Sequence, residues 1–261
     1  MPTTLITGGS SGIGLETARL LRRAGHDLLL VALSGEELDS AQKELAPENT
    51  SAQIHTLALD LSHPDSARTV YDWATQDGRS VDILINNAGF GTYGFIEEID
   101  PAREIAMINL HVVTLYQLTR LFLADMLTCN SGRIVNLSSI SAFQANPLLA
   151  TYGATKSFVL QFSRAIDQEL RDRRSAVRVI AICPPPVKAT GFQATARMNQ
   201  SRLFRSWMVT TPQVVAHSIV RSLRRQRDMV IPGRGLDWVY ALTKRLPDRW
   251  QIWLSAAHLK N

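Results

Sequence analysis

Short apolar runs alternate with longer amphipathic stretches along the 261 residues of this chain. The runs fall at residues 3–7, 28–33, 54–59, 82–86, 133–138, 177–183 and 229–231. Most are unbroken and rich in Leu, Ile and Val, as strands covered on both faces are. Between them, apolar positions recur with helical spacing. The longest such stretch runs from about Ala102 to Leu127, with Ile105, Ile108, Val112, Leu115, Phe122 and Met126 on one stripe. A second begins near Tyr152 and reaches about Arg171, carrying Phe158, Val159, Phe162 and Ile166. Strand and helix in alternation predict βαβ units and a doubly wound parallel sheet of the α/β class. No repeat, low-complexity tract or linker interrupts the pattern, so residues 1–261 read as a single domain.

One region breaks the alternation. Residues 186–212 lack a strong period and contain Pro186, Gly191, Met198, Phe204, Trp207, Met208 and Pro212. They fall between the sixth and seventh strands, beyond the sheet edge where open α/β sheets bind ligands. Two readings stand for their bulky side chains: an apolar substrate pocket, or a simple cover for the core.

Composition changes this picture little. An apolar fraction of 45% and a charged fraction of 20% are ordinary for a soluble protein. No apolar stretch reaches the ~18–20 residues that a membrane-spanning helix needs. Cys129 and Cys183 stand in no metal-type spacing, and no leader precedes the first strand, so no metal and a reducing cytoplasm are expected. Cys183 lies in an apolar run and reads as a small core residue. Charge is concentrated near the end. Between Arg221 and Trp250 eight Arg/Lys stand against three Asp, a net +5 that equals the formal charge of the whole chain. Trp238, Tyr240, Trp250 and Trp253 are interleaved with them or follow. Such a stretch suits an anionic membrane surface. A helix pair covering a substrate pocket or a neighbouring subunit fits equally.

The candidate chemistry lies in two places. Thr3-Thr4-Leu5-Ile6-Thr7 reads as a strand, Gly8 to Gly14 as a glycine-rich turn, and a helical pattern follows. That order is the context of a phosphate cradle, in which glycines let a pyrophosphate approach N–H groups at a helix N-terminus. The spacing is G-x-x-x-G-x-G. Further on, Tyr152 and Lys156 stand four apart, on one helix face. A phenol titrates near ~10 when unperturbed and is a poor acid or base at neutral pH. A neighbouring cation favours the phenolate and lowers that value by about 1–3 units. Ser139, thirteen residues before Tyr152, offers a hydroxyl that would hold a substrate oxygen against the phenol. Ser138 competes for that place.

Taken in order, these features resemble the classical short-chain dehydrogenase/reductase family. Thr7 to Gly14 matches its T-G-x-x-x-G-x-G. Asp60-Leu61 matches its acidic residue after the third strand, and Asn86-Asn87-Ala88-Gly89 its N-N-A-G. Asn109 falls at its helix asparagine, and Ser139, Tyr152 and Lys156 at its catalytic residues. Pro184 to Thr190 corresponds imperfectly to its P-G-x-V-x-T stretch.

The resemblance implies a Rossmann fold and an NAD(P)-dependent oxidoreductase acting on a carbonyl or secondary alcohol. Tyr152 would exchange the proton and Ser139 would polarise the carbonyl, its spacing favouring it over Ser138. Lys156 would lower the phenol pKa and hold the nicotinamide ribose. Asn109 would bend its helix and hold a water linking Lys156 to solvent. The cofactor would lie on Gly8, Ser10, Ser11, Gly12, Ile13 and Gly14, on Leu33 and Ser34, on Asp60 and Leu61, on Asn87, Ala88 and Gly89, and on Pro184, Val187 and Thr190. Asn87 would also tie the central strands together. Residues 186–212 would form a substrate lid and 232–261 a C-terminal helical extension. The two long helices would pair in a homodimer or homotetramer. A 3-oxoacyl or hydroxysteroid-type reductase is the narrower expectation.

Two departures matter. The second strand ends Val31-Ala32-Leu33-Ser34, with neither the carboxylate that favours NAD nor the arginine that favours NADP. Ser34 could bond a phosphate, so the balance leans to NADP. Pro185 replaces the family's glycine, which fixes φ and removes an N–H beside the nicotinamide. It motivates a rival class, a poorly active cofactor-binding scaffold or redox sensor. The partner expected is a small carbonyl or alcohol, with no nucleic acid; the location is cytoplasmic or membrane-peripheral.

Overall fold

The computed structural model describes residues 1–46, 51–196, 198, 208–233 and 235–259. Seven parallel strands form one sheet in the order β3-β2-β1-β4-β5-β6-β7. They are β1 (Thr3–Thr7), β2 (Asp27–Ala32), β3 (Ile54–Ala58), β4 (Ile83–Asn86), β5 (Arg133–Leu137), β6 (Arg178–Ile182) and β7 (Met229–Val230). Each lies within one residue of its apolar run. The chain winds outward from β1 to β3, then returns and winds the other way from β4. The carboxyl ends of β1 and β4 therefore flank a crevice at the switch point, the place where such sheets receive ligands.

Successive side chains on a strand point to opposite faces, and both faces are covered. Ile6, Leu28, Leu30, Ile85 and Ile180 pack under α1 (Gly12–Arg23), α2 (Gly35–Leu45) and α8 (Pro212–Ser222). Leu5, Leu29, Val31, Leu84 and Val179 pack under α3 (Ser66–Thr75), α5 (Leu115–Thr128) and the end of α6 (Ala150–Asp172). This is the doubly wound Rossmann architecture expected from the strand–helix alternation.

The longest helix departs from its expected single stripe. It is α4 (Pro101–Ile108), then a π-helical segment (Asn109–Thr114), then α5. A π turn inserts an extra residue and rotates everything after it about the axis. Ile105 is exposed as a result, whereas Leu115, Leu118, Phe122 and Met126 are buried against the sheet. The stretch Pro101–Thr128 is long and apolar enough by composition to cross a membrane, contrary to the sequence expectation, but its second half is a core helix. Tyr116 and Phe158 are left exposed, and Phe162 stacks on Phe158 with ring centroids 5.3 Å apart.

After β6 the chain forms the short α7 (Phe192–Thr195) before α8, and after β7 come α9 (Leu236–Thr243) and α10 (Asp248–Leu259). Phe204 and Trp207, expected in a lid, lie outside the described residues.

Phe122 is 1% exposed and meets Tyr71 at a centroid distance of 5.2 Å. Phe122→Ala should lower unfolding free energy by about 3–5 kcal/mol, through lost transfer energy plus an unfilled cavity. Urea unfolding checks this: the midpoint should fall while the slope stays unchanged.

Candidate active site

The glycine turn is set by contacts that leave no room for side chains. Gly8 and Gly12 have φ of +65° and +54°, where residues with a Cβ are strained. A Cβ on Gly14 would stand 2.0 Å from the Gly8 carbonyl oxygen. Asn87 fastens the turn from the neighbouring strand. Its Nδ2 donates to the carbonyls of Thr7 (2.9 Å) and Gly8 (3.0 Å). The Thr7 hydroxyl in return accepts the N–H groups of Asn87 and Ala88, each at 3.0 Å. The expected tie between the central strands is present. Gly8, Ser10, Ser11, Gly12 and Ile13 line the crevice, whereas Gly14 does not. Its task is to let α1 pack against the turn.

Along the crevice, Leu33, Ser34, Asp60, Leu61, Asn87, Ala88, Gly89, Pro184, Val187 and Thr190 all face the same cavity of about 920 Å³. Burial pushes the Asp60 carboxyl up, but the amide and hydroxyl of Ser62, at 2.8 and 2.7 Å, outweigh it and hold it below its ordinary value. Ser34 caps α2, accepting the Glu37 N–H at 3.2 Å. Glu37 itself was missed in the sequence. Its carboxylate accepts the Ser10 hydroxyl at 2.8 Å and lines the same end of the cavity. The signal was there, since the first turn of a helix opening beside the cradle faces it. Lys156 is the one basic residue among the described residues lining the cavity.

Ser139, Tyr152 and Lys156 converge at the other end. Ser139 leads out of β5, its hydroxyl accepts the Ser141 N–H at 3.1 Å, and it lies near enough to the phenol of Tyr152 to favour the phenolate. Ser138 is engaged elsewhere, its hydroxyl donating to the Lys156 carbonyl at 2.8 Å. The ammonium of Lys156 donates to the Leu137 carbonyl at 2.9 Å and lies 5.8 Å from the Tyr152 ring centroid. The expected depression of the phenol is not what the site does in this state. Burial pushes Tyr152 up to about 12, offset only in part by Ser139. Burial pushes Lys156 down to about 8. Desolvation disfavours both charged forms, and it outweighs an ammonium that points to a backbone carbonyl instead of the phenol. Cys183 beneath them is buried, and desolvation raises its thiol to about 12.

Asn109 opens the π segment, so the expected local distortion is there, but it does not line the cavity. Leu110 of this segment lines the cavity; its neighbour is the buried His111, which the sequence reading passed over because it sits on an apolar helix. Its Nε2 accepts the Phe90 N–H at 3.2 Å, which leaves the proton on Nδ1 for Thr155 Oγ1 at 3.0 Å. Thr155 donates onward to the Tyr152 carbonyl at 2.8 Å. A Cβ on Gly89 would stand 2.6 Å from that Nε2.

The rest of the chamber is apolar. Phe192 of α7 lies over Tyr152 with centroids 5.2 Å apart, and Leu149, Met107, Ala196 and Met198 join the cluster. The C-terminal helices close it. Gln251, Leu254, Ser255 and Leu259 of α10 line the cavity, as do Leu236 and Tyr240 of α9. The Tyr93 hydroxyl donates to the Leu259 carbonyl at 2.6 Å, and Ser255 donates to Asn146 at 3.1 Å. Pro184 and Pro185 are buried, and the carbonyl of Pro184 accepts the Ile140 N–H at 3.0 Å. The extra residue after Val187 is taken up at Ala189, in the left-handed region with φ of +57°.

A family model described as short chain dehydrogenase matches residues 2–201. The chain is a short-chain dehydrogenase/reductase. Among curated relatives it is 28% identical to a ketoacyl reductase, HetN, of Nostoc over 88% of this chain and 77% of that one. Among solved structures it resembles a short-chain dehydrogenase from Sphingobium yanoikuyae in complex with NADPH (29% identity, TM-score 0.81, 95% of this chain and 97% of that one). It also resembles a bulky-bulky ketone specific alcohol dehydrogenase from Comamonas testosteroni (26% identity, TM-score 0.77, 95% of both chains). The protein is an NAD(P)-dependent oxidoreductase, and its crevice fits a dinucleotide: the glycine turn presents bare backbone where a Cβ would collide, and the cavity runs on to Tyr152.

His111 of this dehydrogenase is fully buried and held neutral, first by desolvation and then by the Lys156 charge, well below its ordinary 6.5. Below pH 6.5 the unfolded chain takes up a proton there that the native state refuses, so stability falls as pH falls. His26 is lowered too and adds to the slope. His111→Gln should therefore flatten the loss of unfolding free energy between about pH 6.5 and 5 by about one bound proton. Chemical denaturation at several pH values, wild type against variant, reads it directly.

Proposed function

We propose that this protein transfers hydride between a nicotinamide cofactor and a bulky apolar ketone, or the corresponding secondary alcohol. The observation that carries this reading is the convergence of Ser139, Tyr152 and Lys156 at one end of a cavity, where Phe192, Leu149, Leu254 and Leu259 supply apolar walls. The bound cofactor supplies or accepts the hydride. The chain's own residues handle the proton and the geometry. A phenol raised to about 12 keeps its proton at neutral pH, and so is ready to donate it to the carbonyl oxygen of a ketone. Ser139 bonds the same oxygen from a second direction. Lys156 offsets the phenolate left behind and returns a proton to it. Asn109, at the head of the π segment, is the residue we assign to the water that reconnects Lys156 with solvent. Alcohol oxidation runs these steps in reverse.

The substrate class rests on the chamber and on kinship. Phe192, Leu149 and the inner faces of α9 and α10 offer apolar area but, among the described residues, no cation for a charged head group. The Comamonas relative is specific for bulky ketones, and the Nostoc relative is a ketoacyl reductase. Residues 186–212 and 232–261 are the segments we assign to substrate recognition, within a single domain. The buried Pro184-Pro185 pair gives a stiff wall with its Pro184 carbonyl satisfied, which favours an enzyme over a poorly active scaffold. The exposed apolar face of Tyr116 and Phe158 suits pairing with a second copy of the chain.

Glu37 changes the reading of cofactor choice. The lean to NADP rested on the missing carboxylate after β2. Glu37 supplies a carboxylate to that end of the cavity from the first turn of α2, and no arginine or lysine among the described residues lines the cavity there. A 2′-phosphate would meet a negative charge and no cation among the described residues, so we infer a preference for NAD(H).

Screening ketones and secondary alcohols with NADH and NADPH, following the reduced nicotinamide by absorbance, tests the activity; no turnover of any bulky ketone would sink it. Tyr152→Phe should abolish turnover and leave nucleotide affinity within a few-fold, because the phenol carries the proton, not the binding energy. Substantial residual rate would refute the assignment.

Calorimetry tests the cofactor reading without turnover. Glu37→Gln should tighten NADPH binding by about tenfold, or about 1.4 kcal/mol, and leave NADH little changed. An unaltered ratio, or a wild type that prefers NADPH, would return the preference to NADP.

A further inference from the structure

Helices α9 and α10 face two different surroundings. On α10, the positions that line the cavity are 251, 254, 255 and 259. At 100° per residue these share one face, with Trp250 on its flank and Trp253 opposite. They are 63% and 66% exposed. The same division recurs on α9, where Leu236 and Tyr240 line the cavity while Trp238 and Leu242 are 82% and 67% exposed. Four large apolar side chains are thus turned outward on the two helices that roof the chamber.

Single exposed apolar residues are ordinary, but these are neither single nor scattered. Tryptophan is the side chain that accumulates at the boundary of lipid and water, where its ring is buried and its N–H stays wet. The polar residues beside them are basic. Lys244 and Arg245 follow α9, and Arg249 stands second in α10 after Asp248, all exposed. They sit in the 221–250 stretch whose net charge is +5. The Tyr116–Phe158 face already offers an apolar surface for a second copy. Tryptophans with flanking cations on a short amphipathic helix fit an anionic bilayer instead.

We propose that α9 and α10 dock on an anionic membrane surface. Trp238, Leu242, Trp250 and Trp253 enter the headgroup boundary, and Lys244, Arg245 and Arg249 pair with anionic headgroups. The same helices are the wall between lipid and the substrate chamber, so the bulky apolar ketone reaches Tyr152 from the lipid phase. That last step rests on the functional reading above; the docking does not.

The experiment uses the full chain and sedimentation with vesicles. Wild type should sediment with vesicles containing phosphatidylglycerol, weakly with phosphatidylcholine alone, and should be released by high salt, since exposed charges are screened. The double variant Trp250→Ser/Trp253→Ser should lose vesicle affinity by about tenfold or more, while keeping its thermal unfolding. Wild type that ignores anionic vesicles, or a double variant that binds them as well as wild type, overturns the proposal. So does a double variant whose only change is from dimer to monomer in analytical ultracentrifugation, which would make the face a subunit interface. If the protein binds vesicles but reduces no ketone dissolved in them or in water, docking stands and the functional reading fails.

Discussion

The amide of Asn87 bridges the gap between the carboxyl ends of β1 and β4, and the site hangs from that bridge. Thr7 and Gly8 receive its two N–H bonds, and the Thr7 hydroxyl receives the backbone of Asn87 and Ala88 in exchange. With the two strand ends fixed, the segment that follows must pass close to the long helix. Gly89 meets His111 there, where nothing larger than hydrogen fits. His111 accepts from Phe90 and donates to Thr155, which donates to the carbonyl of Tyr152. One chain of hydrogen bonds thus runs from the nucleotide cradle to the helix that carries the phenol. The links through Thr155 are buried and the others half-buried, so a partner removed leaves an unpaired group with little water to replace it.

The same burial sets the electrostatics. Tyr152, Lys156 and Cys183 lie together without a carboxylate among them, and each is pushed toward its neutral form. Against this, Lys156 keeps a carbonyl partner at Leu137, and Ser139 keeps the phenol in place. The phenol therefore holds its proton more firmly, and the ammonium less firmly, than a Tyr–Lys pair on a solvated helix would. What the sequence predicts from spacing alone, an ammonium that acidifies a phenol, assumes water around both groups. In this chamber desolvation is the larger effect.

Much of the architecture was legible because it rests on local rules. Buried parallel strands read as apolar runs, and all seven appear within a residue of their expected bounds. The glycine turn and Ser139, Tyr152 and Lys156 were legible as motifs. The misses share one cause: they depend on what a distant element does. The stripe from Ile105 to Met126 broke because a π turn rotates α5, which no periodicity within the stretch reveals. Glu37 and His111 read as an ordinary helix-start acid and an ordinary core histidine. Only the approach of α2 to Ser10, and of the π segment to Gly89, makes them part of the site. Gly14 erred the other way, read as bearing the cofactor while it shapes the turn beside it. The basic tail left three readings open, because the partner of an amphipathic helix is set by tertiary contact, and here α9 and α10 settle on the chamber.

The buried thiol of Cys183 sits at the carboxyl end of β6, between Lys156 and Ser138, with its proton held to about 12. In the folded protein it is closed to alkylating reagents and oxidants, which attack the thiolate. Cys129, at the end of α5, is exposed. The two cysteines therefore keep different clocks. A thiol reagent consumes the outer one at once, and the inner one only as fast as the centre of the sheet opens. The chain carries its own timer for core opening, placed directly beneath its reactive residues.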